Sequence, residues 1–187
     1  MTDIDICSMA LLKLGASSIE SFDESSAEAE FASRLYGVTR DALMVSHPWN
    51  FTLREAGLER DDGEPEGGFA CAFRLPPDFL RSLSAGHPGR GRGLIFRISG
   101  SRLLCDAERV SLTYQRRVDP DLFPPHFLQA LVARLAAELC IPVTESTSRA
   151  QALQSLAQAE LRHARLIDSQ QTPPAAVEDF TLLKVRA

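Results

Sequence analysis

Two pairs of apolar-striped segments flank a stretch, residues 49–118, that carries no such stripe, and this division most constrains the fold. An amphipathic helix must bury its stripe against another element, so the flanking pairs are expected to pack together. The first helix is predicted over residues 3–14, with Asp3 as its cap, Ile4, Cys7, Leu11 and Leu14 on one face, and Gly15 as its stop. The second opens on Ser25-Ser26-Ala27-Glu28, which has the spacing of a capping box. Phe31, Leu35, Val38, Ala42 and Val45 follow at helical spacing as its expected core stripe, and Pro48 ends it near Ser46.

The third helix follows a Pro-rich stretch, residues 121–125, and presents Phe127, Leu128, Leu131, Leu135 and Leu139 before stopping at Pro142. The fourth is predicted over residues 146–168, roughly 34 Å at ~1.5 Å per residue. Its stripe is Ala150, Leu153, Ala157, Leu161, Ala164 and Ile167, with Arg149, Arg162 and Arg165 outside it.

Between the pairs, short apolar runs alternate with turn residues, which predicts strands over residues 50–55, 69–74, 81–85, 94–99, 102–106 and 110–116. Ser99-Gly100-Ser101 reads as a hairpin turn, and residues 75–80 as a Pro-Pro breaker followed by a short helical turn. Two loops stand out. One is acidic, with Glu59, Asp61, Asp62, Glu64 and Glu66 around Gly63; the other is glycine-rich and basic, residues 86–93, with Arg90 and Arg92. Past residue 170 the chain has linker composition, then an apolar tip of Phe180, Leu182, Leu183 and Val185 beside Arg186. The expected architecture is α+β, mainly α. It comprises a four-helix bundle (residues 1–48 and 119–169), a small β-rich insertion between helices 2 and 3 (49–118), and a linker with an extended C-terminal arm (170–187).

Composition narrows the functional classes. Apolar residues at 44% and charged residues at 24% are those of a globular chain, and a net charge of -5 disfavours wholesale wrapping of nucleic acid. No continuous apolar run approaches the ~20 residues that cross a bilayer, so no membrane association is expected. The N-terminus has no basic region before an apolar run, which points away from a secretory signal and toward synthesis in the cytoplasm. Cys7, Cys71, Cys105 and Cys140 lack metal-ligand spacing and read as reduced packing residues.

No phosphate-binding glycine loop, nucleophile elbow or zinc-helix motif occurs. We therefore expect no catalytic residues, no metal and no cofactor. His47 reads as a donor to free carbonyls at a helix end, while His126 and His163 lie on helices without a ligand partner nearby in sequence and His87 falls in the glycine loop. The acidic loop lacks the ordered ligand pattern of a calcium site. Arg90 and Arg92 can contact DNA phosphates or another subunit, or be solvated. Trp49 and Phe51 read as core, with Trp49 fixing the angle between helix and insertion.

In order along the chain, several segments resemble one known family. They are Ile6-Cys7-Ser8-Met9-Ala10-Leu11-Leu12-Lys13-Leu14-Gly15-Ala16, then residues 29–36, Arg40-Asp41-Ala42-Leu43 and His47-Pro48-Trp49-Asn50-Phe51. Phe73-Arg74-Leu75-Pro76-Pro77-Asp78, Leu112-Thr113-Tyr114 and Phe123-Pro124-Pro125-His126-Phe127 follow, leading into residues 131–137. The series is similar to that of phage tail tubular protein A and related head-to-tail adaptors. The glycine-arginine loop and the last fifteen residues are not covered.

The resemblance implies a virion protein of the neck, at the head-tail junction. It would form a homo-oligomeric ring of twelve copies on the portal protein, joined below to a tail or nozzle protein, with genomic DNA passing transiently through the lumen. On that reading the arm (Phe180, Leu182, Leu183, Val185, Arg186) binds the portal or a neighbouring subunit, and the acidic loop lines the lumen. The alternatives are a DNA-binding accessory protein using the Gly-Arg loop and a small enzyme with an unrecognised site.

Overall fold

The computed structural model describes residues 1–65, 67–89 and 91–171. Four α-helices are found there: α1 (Asp3–Lys13), α2 (Ala27–Val45), α3 (Pro125–Thr144) and α4 (Thr147–Gln170). Between α2 and α3 lie strands β1 (Leu53–Gly57), β2 (Arg60–Asp61), β3 (Cys71–Arg74), β4 (Phe79–Gly86), β5 (Phe96–Ser99), β6 (Arg102–Cys105) and β7 (Ser111–Arg116).

The helix ends follow capping chemistry, one residue away from where the sequence placed it. Thr2, not Asp3, caps α1: its hydroxyl accepts from the Asp5 N–H at 3.2 Å while the Asp5 carboxylate accepts from the Thr2 N–H at 2.8 Å, a reciprocal box. Ser26, not Ser25, caps α2 by accepting from the Ala29 N–H. α3 runs through Pro142 to Thr144 instead of stopping before it; in the last turn the proline forfeits little. The chain then reverses at Glu145, whose φ of 54° is left-handed, so that α4 doubles back along α3.

The helices gather on α3. Its buried residues include Phe127, Ala130, Leu131, Leu135, Ala136, Leu139 and Cys140, and they share one core with Ile6, Cys7, Ala10 and Leu11 of α1 and Tyr36, Leu43 and Met44 of α2. Ala133 and Ala137 meet Ala157 of α4, where small side chains allow close approach. α3 is also long and apolar enough, by length and composition, to cross a membrane; its place at the centre of the core accounts for that composition.

The strands form two antiparallel sheets, β1-β7-β4 and β2-β3-β6-β5. Phe73, Leu103 and Cys105 from one sheet and Ala85, Leu112 and Tyr114 from the other share a second core. Cys71 stands opposite Cys105 across the β3–β6 pair, and both are free thiols. Gly100, with φ 57°, makes the tight turn between β5 and β6. After Pro76 the chain makes one turn, with the Phe79 N–H donating to the Pro76 carbonyl, and enters β4 directly instead of the expected helical turn.

This overturns the expected four-helix bundle with a small insertion. Among the described residues the fold is α+β, with four helices and seven strands in two antiparallel sheets. The physical reason is twofold. The middle segment has enough alternating apolar residues to bury a core of its own. The helices cluster on α3 and leave α2 and α4 separated by an open groove.

Candidate functional site

The most heavily built polar centre lies where α2, α4 and the start of α3 meet the β lobe. After α2 the chain turns through His47 and Pro48 and inserts Trp49, which is fully buried; its indole N–H donates to the Leu43 carbonyl at 3.0 Å. Trp49 packs edge-on against Phe127 with centroids 5.2 Å apart, and Phe51 lies against Phe127 at 4.9 Å and Phe123 at 6.1 Å. Gln115 of β7, fully buried, shares its two Nε2 hydrogens among three acceptors, the carbonyls of Met44 (2.9 Å) and His47 (2.7 Å) and the Thr52 hydroxyl (3.1 Å). One amide thus satisfies the end of α2 and ties the two lobes together.

Asp168, near the end of α4 and only 1% exposed, faces the same junction. Its carboxylate accepts from the Asn50 backbone N–H and from Asn50 Nδ2, each at 3.1 Å. His47 Nε2 lies 3.7 Å and His126 Nε2 3.6 Å from its two oxygens. Burial pulls the His47 pKa below its usual value, Asp168 works against that, and Arg165 adds to it. The carboxylate stands between two imidazoles while Asn50 donates to it. Neither imidazole hydrogen-bonds a hydroxyl or thiol among the described residues, and no three His, Cys, Asp or Glu side chains there are placed to hold a metal ion. What the arrangement does is fasten the end of α4 to the entrance of the β lobe.

Sequence reasoning missed this centre because His47, Asn50, His126 and Asp168 are scattered along the chain. Only His47, expected to serve a helix end, carried a signal. Gln115 gave none, being one polar residue in a strand.

The acidic loop is partly structured. Asp61 lies in β2, a two-residue strand the sequence did not announce. Its carboxylate accepts from the Gly63 N–H at 2.8 Å and from Arg74 Nε at 3.2 Å, and these contacts, the Gly63 bond foremost, hold its pKa below the usual carboxylate range. Glu59, Asp62 and Glu64 are exposed, and Glu66 lies outside the described residues.

The stem of the glycine-arginine loop is held down: the Ser84 hydroxyl donates to the Gly91 carbonyl at 2.7 Å. A Cβ on Gly91 would come within 3.3 Å of a Glu55 oxygen and 3.2 Å of Thr113, so a carboxylate sits directly beneath the loop. Arg92 is exposed, and Arg90 lies outside the described residues. So do Phe180, Leu182, Leu183, Val185 and Arg186 of the arm.

A second feature is apolar. Between α2 and α4, over α3, runs an open groove of about 360 Å³ lined by Leu35, Val38, Ala42, Leu43 and Leu161, with Arg134 and Glu138, paired at 2.6 Å, also on its wall. Of the expected core stripe of α2, Phe31 and Leu35 are half-buried against the core, while Leu35, Val38 and Ala42 border this groove. The buried face of α2 is Ala29, Ala32, Tyr36, Thr39, Leu43 and Met44, whereas Val38 is 72% exposed.

No protein-family model matches the chain, and no curated protein matches it.

Proposed function

We propose that this chain is a structural subunit of a virus particle, a head-to-tail adaptor. Twelve copies form a ring beneath the portal and join the capsid to the tail or nozzle, and DNA passes through the lumen. The observation that carries this reading is how the resembling segments are used. His47-Pro48-Trp49-Asn50-Phe51 and Phe123-Pro124-Pro125-His126-Phe127 lie far apart in sequence but pack on each other as one aromatic joint, Trp49 and Phe51 both against Phe127. Segments that resemble a family and also build the joint between two lobes fit a shared architecture better than chance likeness. A ring subunit also needs two different contact faces, and the helical lobe keeps apolar side chains in the open.

In this reading the arm residues Phe180, Leu182, Leu183, Val185 and Arg186 engage the portal or a neighbouring subunit. Glu59, Asp62 and Glu64 face the lumen, where negative charge repels DNA phosphates and lets the duplex slide. The test is the mass of the purified protein, alone and mixed with a purified portal ring of the same virus. A ring, or a complex with one adaptor per portal subunit, is expected. A monomer that ignores the portal but binds DNA with steep salt dependence would overturn the reading in favour of a DNA-binding accessory protein.

A further inference from the structure

Both α2 and α4 carry a second, largely apolar stripe that the described chain covers only in part: on α2, Phe31 and Leu35 are half-buried against the core while Val38 and Ala42 are exposed, and on α4 every stripe position is exposed. On α2 it is Phe31, Leu35, Val38, Ala42 and Val45, and on α4 it is Ala152, Leu156, Ala159 and Leu166, interrupted by the polar His163. Each repeats with spacings of four, three, four and three residues, the spacing of a helix–helix seam. At ~100° per residue, each lies roughly 140° around its helix from the buried face. Each also spans roughly 21 Å of helix at ~1.5 Å per residue. Val38 is 72% exposed, Leu156 42% and Leu166 59%.

The two stripes differ in shape. The middle of the α2 stripe, Leu35, Val38 and Ala42, forms one wall of the groove over α3, so there it borders a concave surface. That of α4 points away from α3, so it is a ridge, and Ala152 and Ala159 leave it slim enough for close approach. Equal length, equal spacing and opposite curvature on different faces of one molecule define a contact that repeats head to tail.

We propose that the α4 ridge of one copy seats antiparallel in the α2 groove of the next copy, with Val38 near Ala159. The inference rests on the ring reading and names its subunit contact. Antiparallel seating opposes the two helix dipoles and sets the acidic first turn of α2, with Glu28 and Glu30, toward the half of α4 that carries Arg162.

The experiment pairs substitution with cross-linking on the full chain. Val38→Glu and Leu166→Glu change exposed positions, so the monomer keeps its helical signal. Each should raise the concentration needed for half-assembly by roughly tenfold or more. Val38→Cys combined with Ala159→Cys should give, on mild oxidation, a ladder of disulfide-linked multimers, while either cysteine alone gives none; the native thiols are buried and do not compete. A wild-type ring that persists in both glutamate variants and yields no ladder would overturn this contact and leave the ring reading standing. Dimers from one single-cysteine variant would instead mean a two-fold contact, which also overturns it. A wild-type chain that stays monomeric at every concentration, with or without the portal ring, would overturn the ring reading and the contact with it.

Discussion

The helical lobe and the β lobe bury their apolar residues in different ways. In the β lobe, Phe73, Leu103, Cys105, Leu112 and Tyr114 point inward between two sheets, and a turn or charged residue ends nearly every strand. Both sheets contribute to that core. The helical lobe is fastened by polar contacts at its joint, around Gln115 and Asp168, yet leaves two seams of apolar side chains in the open on α2 and α4. The helical lobe thus has a large core of its own and, beside it, exposed apolar seams of the kind that a partner can cover. Among its described residues the β lobe exposes single apolar side chains, Leu53, Leu83 and Ile95, but no such seam along one element.

The comparison breaks most readily at the joint. Trp49→Ala removes a fully buried ring between the lobes and should cost about 3–5 kcal/mol. In denaturant titrations followed by far-UV circular dichroism, helix and strand signals are expected to shift together. If the strand signal keeps its wild-type midpoint, the β lobe folds independently and the joint does not couple the two. Asp168→Ala is next. It removes the carboxylate that accepts from the Asn50 N–H, while the carbonyl of residue 168 still accepts from Asn50 Nδ2 at 2.7 Å, and should cost about 2 kcal/mol by the same titration. A loss under ~1 kcal/mol would mean that Asn50 finds other partners and that the node is not a fastening.

Acid provides a smaller effect that can be assigned to the joint. Because His47 has its pKa lowered in the folded state, its contribution is present above the usual value of 6.5 and is lost as pH falls through the folded value. Stability should therefore begin to fall below about pH 6.5, and His47→Gln should remove that step. A second decline belongs below the usual Asp value of 3.8, through Asp41. Burial alone would raise the Asp41 pKa, but Arg40 and Arg117 hold it down. If the step near 6.5 survives in His47→Gln, another group carries it. The smallest expected effect is on the seams: Val38→Glu should change monomer stability by less than ~0.5 kcal/mol, because the position is exposed. A larger loss would mean that α2 uses that stripe internally.

Much of this fold can be read from residue patterns. Periodicity located all four helices, and the stripe of α4 was read on the correct face, with Ala157 and Ala164 buried. Alternation with turn residues found six of the seven strands; β2 escaped because two polar residues carry no periodic signal. The error on α2 has a physical cause. Two stripes there satisfy helical spacing, and hydrophobicity favours Phe31, Leu35 and Val38 over Ala29 and Ala32. The fully buried face nonetheless runs through Ala29, Ala32, Tyr36, Thr39, Leu43 and Met44, with Phe31 and Leu35 half-buried at its edge. The architecture was misjudged for the same reason: four amphipathic helices suggest a closed bundle only if each has a single apolar face. The polar joint was illegible because it is assembled from four separate segments.

The measurement that tests the central claim most directly is the rotational symmetry of the purified assembly under the electron microscope. The account predicts a closed ring of twelve subunits around a channel wide enough for duplex DNA. A two-fold dimer, or a field of monomers that remains so when the portal is added, would contradict it.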